Sequence, residues 1–273
     1  MNADDYGLTP GVCEGILRAH REGIVTSTSV LTPAPAFEAH VGALRDSGLA
    51  AGLHLAVVGE DPPLLSASEI PSLVDRRGRF PLSWRQFMAL AARGAIDPAD
   101  LDREFSAQHE RLTGAGIRPT HLDTHQNLHL WPTVTSAVLR LANSAGIPVV
   151  RVTRSRRLGP VELGVRALAS VAARRARRAG LVVPDVAAGL DEAGSVDDAT
   201  LAAMVTRLGR ARGHADLTVH PGSDPDPDRV RYQWGYSWPG ELAAVCAPGA
   251  RELVERAGFR LGSFADLALA ARP

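Results

Sequence analysis

Residues 119–132 read "PTHLDTHQNLHLWP", and the way this stretch folds decides what the rest of the chain can be. As a helix it would stack His121, His125 and His129 along one side at i, i+4 and i+8. As a strand over 119–125 it would turn His121, Asp123 and His125 to a common face, because side chains alternate along extended backbone. Pro119 before it and Trp131-Pro132 after it favour the second reading: a strand, a loop, then a helix with Pro132 in its first turn. Three polar side chains on one strand face are expensive in an apolar interior. They make sense where that face looks into a polar pocket, and His-x-Asp-x-His gives a metal-bound imidazole a carboxylate to orient it. A structural network of mutually satisfied polar groups is the alternative.

Outward from this stretch the chain alternates. Short β-branched runs, "GIVTSTSVL" (23–31), "LAAGLHLAVV" (49–58), "RPTHLDTH" (118–125), "IPVVRVT" (147–153), "ADLTVH" (215–220) and "FRLGSF" (259–264), read as strands. Between them 11–23, 97–116, 132–146 and 197–213 carry helical patterns that start at Asp, Pro or Ser/Thr and several of which end in Gly. Such alternation predicts βα units around a parallel sheet, and six or seven units in 273 residues suit a barrel-like α/β fold in one domain, 1–273. Two segments interrupt the rhythm as excursions, 59–95 and 154–196. The second holds an Arg-rich helix, "VRALASVAARRARRAG" (165–180), read either as a solvated face or as a contact for an anionic group such as a phosphate or lipid headgroup.

The 30 basic residues, all Arg, balance 30 acidic ones, so nothing pulls the chain as a whole toward nucleic acid or membrane. Cys13 and Cys246 lie far apart and make no disulfide framework. With no secretory signal and no apolar run long enough to cross a bilayer, a soluble cytoplasmic protein is expected. The sequence is compatible with a homo-oligomer and does not set the oligomeric state.

More polar residues fall at expected strand ends. "MNADDYGLTPG" (1–11) opens on an Asp pair, and the plainest role for Asp4 or Asp5 is to cap a helix starting near Thr9-Pro10. His54 is the only polar residue in "GLHLAV", and His220 ends the strand of "TVHPG" (218–222) before a sharp turn. Barrel active sites sit at the carboxyl ends of parallel strands, and these residues join His121 and His125 there. A carboxylate with two neutral imidazoles forms a facial set for a hydrolytic divalent metal. A second carboxylate beside the first can then serve as general base, and the ion removes the like-charge penalty of the pair.

"NADDYGLTPGV", "GIVTSTSVL", "GLHL", "THLDTHQNLH", "VHPG" and "AGFRLGSFADL", nearly end to end and in this order, resemble the YdjC-like carbohydrate deacetylases, which include chitooligosaccharide and hopanoid-associated deacetylases. The resemblance implies an irregular (β/α) TIM-like barrel related to the polysaccharide deacetylases. It also implies metal-dependent removal of the N-acetyl group from an amino sugar, an oligosaccharide or a glycoconjugate, through a metal-activated water. By analogy Asp5, His54 and His125 hold one divalent ion, Asp4 is the base, and His220 protonates the departing amine. His121, Asp123 and His129 then orient ligands or contact sugar hydroxyls. Two His and a carboxylate suit Zn²⁺ by ligand type, whereas the family is associated with Mg²⁺.

Relatives carry several apolar residues before the acid pair, forming a first strand; here Met1 is followed at once by Asn2. Either the natural start lies upstream, or the first strand is short and Asp4 and Asp5 are poorly anchored. Gln126 and Asn127 stand where some relatives carry further His, and leave the proposed ligands intact. "RYQWGYSWPGEL" (231–242) gathers Tyr232, Trp234, Tyr236 and Trp238; Trp234 and Trp238 are candidates to stack on a sugar, the alternative being that the rings cover the barrel end. A glycolipid substrate suits the Arg-rich helix, and soluble chito-oligosaccharides fit the motifs as well. Two other functions compete: another metal-dependent barrel hydrolase, which as an amidohydrolase would show His-x-His on an early strand, and a catalytically silent sugar-binding protein on the same scaffold.

Overall fold

Helix starts are set by caps that the sequence spells out. Thr9 caps the first helix, its Oγ1 accepting from the Val12 amide at 3.2 Å with Pro10 behind it, so neither Asp4 nor Asp5 is the cap. Asp97-Pro98 repeats the device, with the Asp97 carboxylate accepting from the Ala99 amide at 2.9 Å. The computed structural model describes residues 1–211 and 213–271. In chain order the elements are β1 (Asn2–Tyr6), α1 (Pro10–Glu22), β2 (Ser27–Val30), α2 (Phe37–Ser47), β3 (Ala50–Leu55), α3 (Trp84–Ala92), α4 (Pro98–Gly114) and β4 (His121–Thr124). They continue with α5 (Pro132–Ala145), β5 (Val149–Val150), α6 (Pro160–Arg178), β6 (Val186–Ala188), α7 (Asp198–Leu208), β7 (Ala215–Val219), α8 (Trp238–Cys246), α9 (Ala250–Arg256) and α10 (Phe264–Ala270).

All seven strands are parallel, in the order β5-β4-β3-β2-β1-β7-β6, which puts the Asp pair on a strand with neighbours on both sides. The sheet curls but stays open. Among the described residues β5 and β6 share no pairing; the isolated bridge Val149 to Val182 ties β5 only to the segment ahead of β6. Pro184 then has no N–H to continue a ladder, and β5 itself is two residues long. The expected TIM-like barrel is therefore an open, curled parallel α/β sheet.

Strand alternation sorts the two faces of the sheet. Val12 and Ile16 of α1, Leu101 and Phe105 of α4, and Val134 and Val138 of α5 are buried in the apolar core. On the concave side the strands bury Asn2, Asp4, Ser27, Ser29, His54, His121, Asp123, Asp216 and Thr218, a polar interior where a barrel ordinarily packs aliphatic layers. Gly52 of β3 lies against the His121 ring; a Cβ there would come within 2.2 Å of it, so only glycine fits.

Several expectations are corrected. β1 is a buried, hydrogen-bonded strand of five residues, with Asp4 5% and Asp5 2% exposed, so the acids are firmly anchored. Residues 259–263 form no strand, because Ser263 and Asp266 close a capping box that starts α10. The segment 154–196 contains both α6 and β6. The helix expected over 197–213 ends at Leu208, and Arg212 lies outside the described residues, as do Arg272 and Pro273. Residues 59–83 form neither helix nor strand before α3, and they are tied to α4 where the Glu104 carboxylate accepts from the Leu64 and Leu65 amides.

Candidate metal and hydrolytic site

A bulge separates the two acids. The register of β1 on β2 shifts between Ala3 and Tyr6, and Asp5 takes φ +72°, a left-handed conformation that Asp tolerates better than most residues. Asp4 therefore keeps its strand direction toward Arg151, while Asp5 is re-aimed at His54 and His125.

The β3–β4 register places His54 beside Asp123, and His54 Nδ1 lies 2.6 Å from Asp123 Oδ1. This fixes the ring and turns Nε2 to Asp5 Oδ1 at 3.4 Å. His125 follows β4 directly, and two left-handed residues, Gln126 (φ 52°) and Asn127 (φ 56°), turn the chain so that His125 Nδ1 lies 3.3 Å from the same oxygen. Neither contact has hydrogen-bond geometry: Asp5 Oδ1 is buried without a partner. One atom each from Asp5, His54 and His125 lie within 4.8 Å of one another. Burial pushes the Asp5 carboxyl up, but His125, His54 and His220 outweigh it and hold it below the usual carboxylate range. Burial opposes a charged His54 ring, yet Asp123, Asp4 and Asp5 favour it, a field that attracts a metal cation as readily as a proton. Asp4, His54 and Asp123 form a second group within the same spacing, but the Arg151 guanidinium already fills it.

Sequence reasoning missed Arg151, and with it Asn2, Ser29 and Glu241. Arg151 is 1% exposed, donates to both Asp4 oxygens at 2.5 and 2.6 Å, and approaches Asp123 Oδ2 at 3.0 Å. The available signal was a lone charge between valines in "PVVRVT". Asn2 Nδ2 adds a bond to Asp4 at 2.7 Å. Ser29 links the network, donating to Asp123 Oδ2 at 2.7 Å and accepting from His121 Nε2 at 3.0 Å. Burial keeps His121 neutral, its pKa falling to about 4, and Phe264 seals the ring from below. His129 is likewise pushed down by burial, to about 3; its Nδ1 meets Thr124 Oγ1 at 2.9 Å, and Nε2 has no partner among the described residues. Asp123 thus fixes His54 directly and His121 reaches Asp123 through Ser29, whereas His129 is tied to Thr124 at the end of β4. His220 comes in from the end of β7. Burial disfavours its charge, but Glu241, whose Oε2 lies 3.8 Å from Nδ1, together with Asp5 and Asp4, raises its pKa to about 9.

Asp4, Asp5, His54, His125 and His220 open into one cavity of about 460 Å³, walled by Trp84, Trp131, Trp234 and Tyr236 among others. Trp234 stands 5.2 Å from the His125 ring, and its Nε1 donates to Glu60 Oε1 at 3.0 Å. Trp238 is 6% exposed, packs on Tyr236 and lines none of this cavity; Tyr236 takes the wall position.

The chain is similar to known proteins in sequence and in overall fold. Carbohydrate deacetylases of Brevibacillus brevis (35% identical over 150 residues, 55% of this chain and 57% of that protein) and Geobacillus stearothermophilus (36% over 166 residues, 60% and 64%) are similar in sequence. The matched stretch thus spans about three fifths of the length of these curated relatives. A crystal structure described as a cellobiose-phosphate cleavage protein of Enterococcus faecalis V583 superposes with a TM-score of 0.81 at 26% identity, covering 97% of both chains. The model of the family described as YdjC-like protein matches residues 1–256, and the chain belongs to that family.

Proposed function

We propose that this chain is a deacetylase that hydrolyses the acetamide of an N-acetylated amino sugar with one divalent ion, Mg²⁺ or Zn²⁺, held by Asp5, His54 and His125. The observation that carries the reading is the buried, unpartnered Asp5 oxygen facing two imidazole nitrogens at 3.3 and 3.4 Å. Such an oxygen is costly unless a cation completes it. When bound, the ion supplies Lewis acidity to the acetamide carbonyl and acidifies water. Asp4, fixed by Arg151 and Asn2, accepts the proton of the attacking water as the new C–O bond forms. His220, protonated up to about pH 9, donates to the departing nitrogen as the C–N bond breaks, leaving acetate and a free amine. Trp234 and Tyr236 offer ring faces to the sugar. An open, curled parallel sheet with its chemistry at the strand carboxyl ends accommodates this arrangement.

The test is free-amine release from N,N′-diacetylchitobiose by metal-stripped protein given Mg²⁺, Zn²⁺ or no ion. Ion-dependent release is expected. Asp4→Asn should abolish it while the ion stays bound. Absence of ion binding in the unmodified protein would sink the reading and leave a silent sugar-binding protein in its place.

A further inference from the structure

Past β5 the side chains of 151–157 divide between two cavities. Arg151, Thr153, Ser155 and Arg157 line the cavity already described, whereas Arg154 and Arg156 turn the other way. They meet Arg166 of α6 and Arg207 of α7 in a second cleft of about 380 Å³ between α6, α7 and β6. Four guanidinium groups line this cleft against a single acid, Asp185, whose Oδ2 is already taken by the His214 amide at 2.9 Å. Among the described residues, the side chains of Arg154, Arg156 and Arg166 form no ion pair with any Asp or Glu. Arg207 is oriented by Glu192 at 2.7 Å, yet its Nε is buried without a hydrogen-bond partner. Three guanidinium groups that share a cleft without ion-pair partners repel, and a buried N–H left unmade is costly.

We infer that this cleft is a binding site for a phosphate-class oxyanion, carried by a phosphate monoester or a diphosphate. The planar guanidinium fork matches phosphate oxygens with two parallel donors, and several such forks around one concavity are what a dianion needs. The concave walls suit a compact anion. Ser155 lines both cavities, so the anion site and the first cavity share a wall at this residue. The inference does not depend on the deacetylase reading, because its test reads binding alone.

The experiment is calorimetric titration of the full chain with inorganic diphosphate, and sedimentation with phosphatidylcholine vesicles with and without phosphatidic acid. Arg166→Gln and Arg156→Gln should each weaken binding about tenfold, the loss of one charge-assisted contact. Arg251→Gln, an exposed control on α9, should leave it unchanged. Diphosphate binding lost in the cleft variants supports a soluble phosphate ligand; selective sedimentation with phosphatidic acid, lost in the same variants, supports a lipid-borne one. Binding to neither probe, or equal weakening in Arg251→Gln, overturns the site. Thermal melts of each variant report whether its fold is intact, and Arg154→Gln gives an independent variant should one of the others fail to fold.

Discussion

Arg151 holds the Asp4 carboxylate with both arms of its guanidinium and rests the Nη2 arm on Asp123, inside the sheet and away from water. Replacing Arg151 with Met leaves two buried carboxylates without their cation. Breaking such a pair on one side destabilises by about 3–5 kcal/mol. Urea unfolding should therefore show Arg151→Met losing stability on that scale. Arg151→Lys should fold better but deacetylate poorly, because one ammonium cannot match both Asp4 oxygens.

Ion binding should follow Asp5 and His125. Asp5→Asn keeps a residue suited to φ +72° and removes the charge, so the fold should survive while equilibrium dialysis shows Zn²⁺ retention falling sharply. His125→Ala should lose both ion and turnover. Full retention in either variant would remove that residue from the ligand set.

Glu241 sets a pH limit through His220. The ring's pKa rises from 6.5 to about 9 in the folded protein, so the folded state binds this proton more tightly than the unfolded one. The resulting stability is fully present below about pH 6.5 and is lost as pH rises through about 9. If His220 is the acid, the rate should fall along the same alkaline limb. Glu241→Gln should move that limb to lower pH, and an unmoved limb would assign the titration to another group.

Trp234 should matter for holding substrate more than for chemistry. Trp234→Ala removes a ring face from the cavity wall and should raise KM by roughly fivefold to tenfold with kcat largely kept, the worth of one stacking contact. Steady-state kinetics on the same sugar checks it. A fall confined to kcat would instead mean that the ring steadies His125.

Much of this was legible because local rules decided it. Pro119 and Pro132 bracketed β4, Thr9-Pro10 and Asp97-Pro98 marked two helix starts, and period-2 spacing put His121 and Asp123 on one face. The strand-end histidines pointed to the cavity for the same reason. What escaped depends on contacts across the sequence. Arg151 meets Asp4 from 147 residues away, and nothing near it in the chain announces the partner. β6, three residues long, exists through its pairing with β7 rather than through any pattern of its own. Trp238 looked like a sugar platform by type, and only packing shows it buried. The reading of 259–264 as a strand failed because a capping box outweighed a short apolar alternation.

Asp123 divides its two oxygens between the arm that fixes His54 and the arm that fixes Arg151, and through Arg151, Asp4. The proposed ligand side and the proposed base side of the site are thus tied to one carboxylate, and changes on the two sides should not add. For the history of such a protein, that is an interlock: no member of the floor can be exchanged alone without disturbing the others. New specificities should therefore arise at the rim, at Trp84, Trp131 and Trp234, where side chains face the cavity without bearing on Asp123.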